Sequence, residues 1–429
     1  MITRRRLLLS AAAAPLALAG CKVRTINYFP PHPATVRLVN VLNSLVGVDG
    51  LQGGNVVWSD VAFQAYTDYV EFENTETTFV VRAHGTETDL GAATISLTGN
   101  QPYSLIPFGA LDAPGLLMLP DATNPGSGNM QIRLINVGLG TGPTDVYVTA
   151  PDANLDETNP NFVGVGSGGS TVGLRLAPGS YRIRATFNGT KVVIYDHPAI
   201  EFAEGLSTNL ILYTLESASL LQALLLPSAG TGTSGVITST VSAVKVVNAA
   251  INAGTIDGFY DGTLFVNDVP YGAFTAYSFQ SSGSHTISFE ATSTPGAAIA
   301  TLTRTLDPVS DVSVLVVGFP GAVQAIAFAD NNRAPIAGQT RVRFVNASSD
   351  DAAYDVYAGD TKLVTALAAR TASAYFPLSA GTYTITFRNP TTGATALTIA
   401  DQALGEGRVL TCYAAGAAGQ LSSIVSTDR

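Results

Sequence analysis

An all-β chain, folded as four tandem antiparallel immunoglobulin-like β-sandwich repeats behind an N-terminal signal peptide, is what this sequence predicts. Three observations carry that expectation: short apolar runs are punctuated by turn residues, one strand motif recurs four times at domain-sized spacing, and charge is scarce. Charged residues make up 13% of the 429 positions, about half the usual share, against 46% hydrophobic residues, 42 Gly and 22 Pro. A chain this apolar is not disordered. Its formal charge of −10 argues against contact with nucleic-acid phosphates, and its length requires several domains.

Residues 1–20 form an address. Thr3-Arg4-Arg5-Arg6 is a cationic start, and Leu7 to Leu18 is an apolar run too short to span a bilayer as a helix. The run ends in Leu18-Ala19-Gly20-Cys21, which resembles the bacterial lipobox. That resemblance implies cleavage before Cys21, lipid on its thiol and a membrane-anchored lipoprotein of the cell envelope. Lys22 after the cysteine implies the outer membrane, facing either the periplasm or the cell surface. Arg4 and Arg5 with the following leucines also resemble a twin-arginine export signal, and the general secretion route is the alternative. Cleavage would leave 19 basic and 32 acidic side chains, so attachment would depend on acyl chains rather than on anionic headgroups. Residues 21–35, with Pro30-Pro31-His32-Pro33, read as an extended stalk. With Cys21 acylated, Cys412 has no disulfide partner, and its apolar setting predicts a buried, inert thiol.

Repeats organise the rest. Val36-Arg37-Leu38-Val39-Asn40 recurs as Ile132-Arg133-Leu134-Ile135-Asn136, Val244-Lys245-Val246-Val247-Asn248 and Val342-Arg343-Phe344-Val345-Asn346. An Asp follows each Asn nine residues later: Asp49, Asp145, Asp257 and Asp355. A turn then opens an alternating strand, as in Gly381-Thr382-Tyr383-Thr384-Ile385-Thr386-Phe387, and alternation at period two marks a strand with one wet face. A buried-looking strand such as Val312–Val317 follows, then a last strand. The expected units are 36–121, 131–227, 241–332 and 340–427, separated by Gly-, Ser- and Pro-rich joints, of which 227–240 is the longest.

The combination of Val-Arg-x-Val-Asn, an Asp-Val-Tyr strand (Asp145-Val146-Tyr147, Asp355-Val356-Tyr357) and a Gly-x-Tyr strand (Gly179-Ser180-Tyr181, Gly381-Thr382-Tyr383) resembles the bacterial repeat family described as domain of unknown function 4397. The resemblance implies a surface or periplasmic β domain and supplies no catalytic residue. The first repeat lacks the Gly before Phe79, and the third has His285 in place of Tyr.

Few residues suggest chemistry. His32, His84, His197 and His285 show no metal-ligand spacing, and His285 is expected in a core. No nucleophile elbow or phosphate loop is present, so no catalytic residue, cofactor or metal is expected. The repeat-defining Asn40, Asp49, Asn136, Asp145, Asn248, Asp257, Asn346 and Asp355 could bind Ca²⁺, but turn-forming hydrogen bonds to the backbone are the stronger expectation. Asp350 and Asp351 beside Asp355, and the Asp152–Glu157 insertion of the second repeat, are weaker cation candidates. The recurring cation, Arg37, Arg133, Lys245 or Arg343, lies between inward-facing apolar neighbours and is expected on the wet face, where it would discourage edge pairing. The resulting functional expectation is a lipid-anchored envelope protein, a non-enzymatic binding, structural or adhesive module for an unknown envelope protein or polysaccharide. The alternatives are an envelope enzyme acting on glycan or peptide, or a transporter-associated binding lipoprotein.

Overall fold

The computed structural model describes residues 32–42, 47–122, 124–215 and 220–429. Arg4, Arg5, the lipobox through Cys21 and the stalk up to residue 31 lie outside the described residues. Every regular element among the described residues is a strand.

The strands form eight sheets, two per repeat. In the third repeat, one sheet runs Ser278–Ser281, Val241–Ala250, Asp311–Gly318, Gln324–Asp330, and its partner runs Thr263–Val269, Ile256–Tyr260, Gly283–Ala291, Ala298–Leu306. The other repeats follow the same order. Each repeat encloses its own core, such as Val244, Val246, Ile256, Ile287, Phe289, Val312, Val314 and Val316 in the third. Pairing is antiparallel except at one place in each repeat. There the motif strand lies parallel to the late apolar strand, Val241–Ala250 beside Asp311–Gly318 and Gln339–Ser348 beside Val409–Ala417.

That parallel pair explains a feature of the sequence. Val241–Ala250 and Asp311–Gly318 are buried at every position, which requires cover on both faces. One face covers the repeat's own core. The other packs on the neighbouring repeat: Val247, Ala249, Leu315 and Val317 meet Val345, Ala347, Tyr413, Ala415 and Ile424. Val39, Val41 and Ile106 likewise meet Ile135, Val137, Ile211, Tyr213, Leu224 and Leu226. The repeats are therefore docked in pairs, first with second and third with fourth.

The expectation of flexible joints is corrected accordingly. Gly235–Ile237 is a strand on the edge of Leu221–Ala229, Tyr195 donates its hydroxyl to Ile237 O, and Ser239 N donates to Gln222 Oε1. Only the stretch 230–234 is continuously exposed in that joint. Phe187 of the second repeat meets Phe279 of the third, with ring centroids 5.6 Å apart.

Candidate functional site

Each repeated Asn is fully buried and works as a fastener. Its amide donates across the sandwich to a carbonyl 21 residues on: Asn40 to Val61 O, Asn248 to Val269 O and Asn346 to Leu367 O, at 2.8–3.0 Å. Asn136 reaches Val165 O over a connection eight residues longer. In every repeat the Asn Oδ1 accepts the N–H two residues on, from Leu42, Gly138, Ala250 and Ser348. With amide and oxygen engaged by backbone, no Asn faces a ligand.

Each repeated Asp closes a bulge. Asp49, Asp257 and Asp355 accept the N–H of the residue 11 positions on, Asp60, Asp268 and Ala366, at 2.7–2.8 Å. Those three residues have φ of 50°, 53° and 48°, a left-handed conformation costly for a side-chain-bearing residue, and the carboxylate helps to hold it. Asp145 does the same for Gly164 and also accepts from Asn188 and Gly189. Burial opposes the Asp145 charge, but those donors outweigh it and hold the carboxyl below the usual carboxylate range. Asp355 is lowered chiefly by its bond from Lys362.

A hydroxyl completes the device. Thr67, Thr171, Thr275 and Ser373 accept the N–H of Leu38, Leu134, Val246 and Phe344 at 3.0–3.1 Å. Sequence reading missed it, although a Thr or Ser 27 residues after the Asn, or 35 in the second repeat, was there to be seen.

Arg37, Lys245 and Arg343 are not on a wet face, while Arg133 stays partly exposed. Lys245 and Arg343 do point away from their own cores, but the neighbouring repeat covers them, leaving 1% and 2% exposed. Arg343 Nη2 bonds Asp330 Oδ1 at 2.6 Å and Lys245 bonds Asp428, so each repeat's first strand pairs with the carboxylate at the end of the other. Burial opposes the Arg343 charge, and Asp330 together with Tyr375, Tyr413 and Asp428 more than restores it. Tyr277 and Tyr375 rings lie 5.1 and 4.9 Å from the Lys245 and Arg343 cations.

The first pair is asymmetric. Ser228 of the second repeat follows Pro227 where Asp121 of the first follows Pro120, so one carboxylate is missing. Arg37 instead bonds Asp121 of its own repeat at 3.2 Å and donates to Pro227 O. Arg133 donates to Pro120 O, Thr171 O and Ser170 Oγ, and Asn209 takes its place on Asp121 at 2.6 Å.

The other candidates are absorbed as well. Cys412 is buried, and burial with the Asp428 charge pushes its thiol up to about 12, far from nucleophilic. His285, expected in a core, sits at the sandwich rim, bonded to Asp261 Oδ2 at 2.7 Å and against the Tyr260 ring. The Asp152–Glu157 insertion is held from beneath by protein cations: Lys191 donates to Leu155 O and Thr158 O, and Arg184 to Ala153 O. Among the described residues no three His, Cys, Asp or Glu side chains come together as a metal site.

A groove lined partly by polar side chains lies among the described residues. It opens where the third and fourth repeats meet, with a volume of 240 Å³, between Phe319, Ala322 and Gln324 on one side and Ser349, Asp350, Asp351 and Arg370 on the other, above Val317.

With these repeats in view, the comparison with known families is direct. The family described as Domain of unknown function (DUF4397) matches residues 34–147, 242–353 and 341–429. The chain belongs to this family. The DUF4397 matches include the motif strand of every repeat and leave residues 148–241 between them. No curated protein matches the sequence. Among solved structures, a candidate cell adhesion protein from Bacteroides uniformis is 11% identical, with a TM-score of 0.22, over 48% of this chain and 99% of that one. The Bacillus anthracis TIE protein is 11% identical, TM-score 0.16, over 89% of this chain and 67% of that one. A family CBM26 module from Eubacterium rectale, solved with maltoheptaose, is 10% identical, TM-score 0.15, over 47% and 95%. Scores this low carry no argument about what the DUF4397 chain binds.

Proposed function

We propose that this DUF4397 chain is a lipid-anchored cell-envelope protein, tethered through Cys21, whose β-sandwiches serve as a non-enzymatic binding, structural or adhesive module for an envelope protein or polysaccharide. Its domain units are taken as 36–121, 131–227, 241–332 and 340–427, behind a signal peptide at 1–20 and a stalk at 21–35. One observation supports the reading above the others. The side chains that recur in all four repeats are engaged by backbone or by the partner repeat, as Asn248 and Lys245 are, so what the array repeats is architecture, not a catalytic centre. The alternative of an enzyme acting on glycan or peptide needs two carboxylates poised in a cleft. In the groove Asp350 is held by the N–H groups of Ala352 and Ala418, and Asp351 by Arg370.

The test is fractionation of cells producing the full chain. Wild type should sediment with membranes and Cys21→Ser should be soluble; a Cys21→Ser protein still in the membrane pellet would refute the anchor. A pull-down with the wild-type chain against envelope polysaccharides and proteins then asks what the module holds.

A further inference from the structure

The groove at the junction of the third and fourth repeats differs from its counterpart in the first pair. There Phe108 occupies the position of Val317, and its ring fills the space against Gly115 and beside Gly168. In the second pair the smaller Val317 leaves the space open, and Gln324 and Arg370 stand where those two glycines were.

The groove's walls are built rather than incidental. Phe319 heads the turn Phe319-Pro320-Gly321-Ala322, closed by Ala322 N donating to Phe319 O at 2.9 Å. Pro at its second position and Gly321 at φ 80° are the residues of a stiff type II turn, so the backbone that carries the ring, 41% exposed, is held in place at the rim. Across from it, Arg370 sits at φ 60°, where the second and third repeats have Gly168 and Gly272 at φ 78° and 80°. Its guanidinium pairs with Asp351, whose side chain is 89% exposed. Ser349, 8% exposed, lines the same wall.

We propose that this groove binds one ring of a neutral oligosaccharide; the assignment rests on the binding-module reading above and gives it a site. Phe319 offers a flat apolar face for the C–H side of a sugar. The polar wall sets the Asp350 and Asp351 carboxylates beside the Arg370 guanidinium, and the Gln324 amide lines the facing side, so acceptors and donors share one small space. Sugar hydroxyls both donate and accept and can satisfy such a wall, whereas a cation meets Arg370 and an anion meets Asp350 and Asp351. A site at a domain junction with a few converging polar groups is the usual setting for a ligand. Its volume is below the range for a drug-sized molecule, which suits a single unit of a longer chain.

The test uses the mature chain in calorimetric titrations with α-glucan, β-glucan, mannan and N-acetylglucosamine oligosaccharides, with a lysine-rich peptide as the competing class. Binding of one neutral oligosaccharide is expected, weakened about tenfold or more by Phe319→Ala and likewise by Arg370→Gly. The second variant removes the guanidinium but places Gly where two sister repeats have it, so its melting temperature should not fall and lost binding cannot be ascribed to misfolding. Oligosaccharide binding that survives both variants, binding of the peptide alone, or no binding by any probe would each overturn the assignment. None of these outcomes bears on the lipid anchor, which fractionation of Cys21→Ser tests separately.

Discussion

Arg343 begins the fourth repeat and Asp330 ends the third, yet their side chains meet at 2.6 Å with 2% and 0% exposed. Lys245 and Asp428 make the reciprocal contact, so the two repeats grip one another about an approximate two-fold relation. The pair resembles a symmetric dimer written into one chain.

Removing one partner of a buried ion pair leaves the other charge uncompensated. Arg343→Ala should therefore cost about 3–5 kcal/mol, not the few tenths expected of a wet surface position. Chemical denaturation of the whole chain measures this, and an unchanged midpoint would mean that the junction is open in solution.

Because the third and fourth repeats share this junction and an apolar interface, they should unfold as one transition in calorimetry. Arg343→Ala should split that transition in two. Independent melting of the two repeats in the wild-type chain would contradict the docked arrangement.

Truncations along one strand should separate core from rim. Ile385 and Phe387 are fully buried, whereas Tyr383 only packs on the edge of that core and bonds Ser379 O at 3.0 Å. Phe387→Ala should cost roughly 3–5 kcal/mol, and Tyr383→Ala clearly less. Equal losses would show that the strand's depth has been misplaced.

Asn346 donates to Ala352 O and Leu367 O. Asn346→Asp keeps the shape but turns two donors into acceptors facing carbonyls, so it should destabilise by at least about 2 kcal/mol. A Ca²⁺ ligand at this position would respond the other way, with Asp strengthened by added Ca²⁺. Thermal melts with and without Ca²⁺ distinguish the two.

The Asp145 carboxyl has its pKa lowered in the folded state by Gly189, Asn188 and Gly164 against the opposing effect of burial. Its stabilising contribution is therefore present above the unfolded carboxylate value, about 3.9, and is lost as pH falls through the lower folded value. Asp145→Asn should flatten that part of the acid limb of the stability curve. An acid limb identical to wild type would remove Asp145 from it.

Much of this architecture was legible in order along the chain. The Asn-to-Asp spacing located all four sandwiches, because the fastener and the bulge clamp are local devices that need the same residues at the same separation every time. The direction of Lys245 and Arg343, away from their own cores, also followed from strand alternation. What alternation cannot say is what lies beyond that face. Asp330 and Asp428 look like ordinary charged residues near strand ends, and only the docking of one repeat on another brings them to cations 13 and 183 positions away. The same docking turned an expected wet face into a second buried layer and drew Gly235–Ile237 into a sheet. It also left the Phe319 groove, since a cleft between two sandwiches depends on how their surfaces meet and on the volume of Val317 against Phe108. Local spacing fixes each sandwich by short-range hydrogen bonds and period-two burial; which faces meet is decided by long-range apolar and ionic complementarity, which exists only once the sheets are formed.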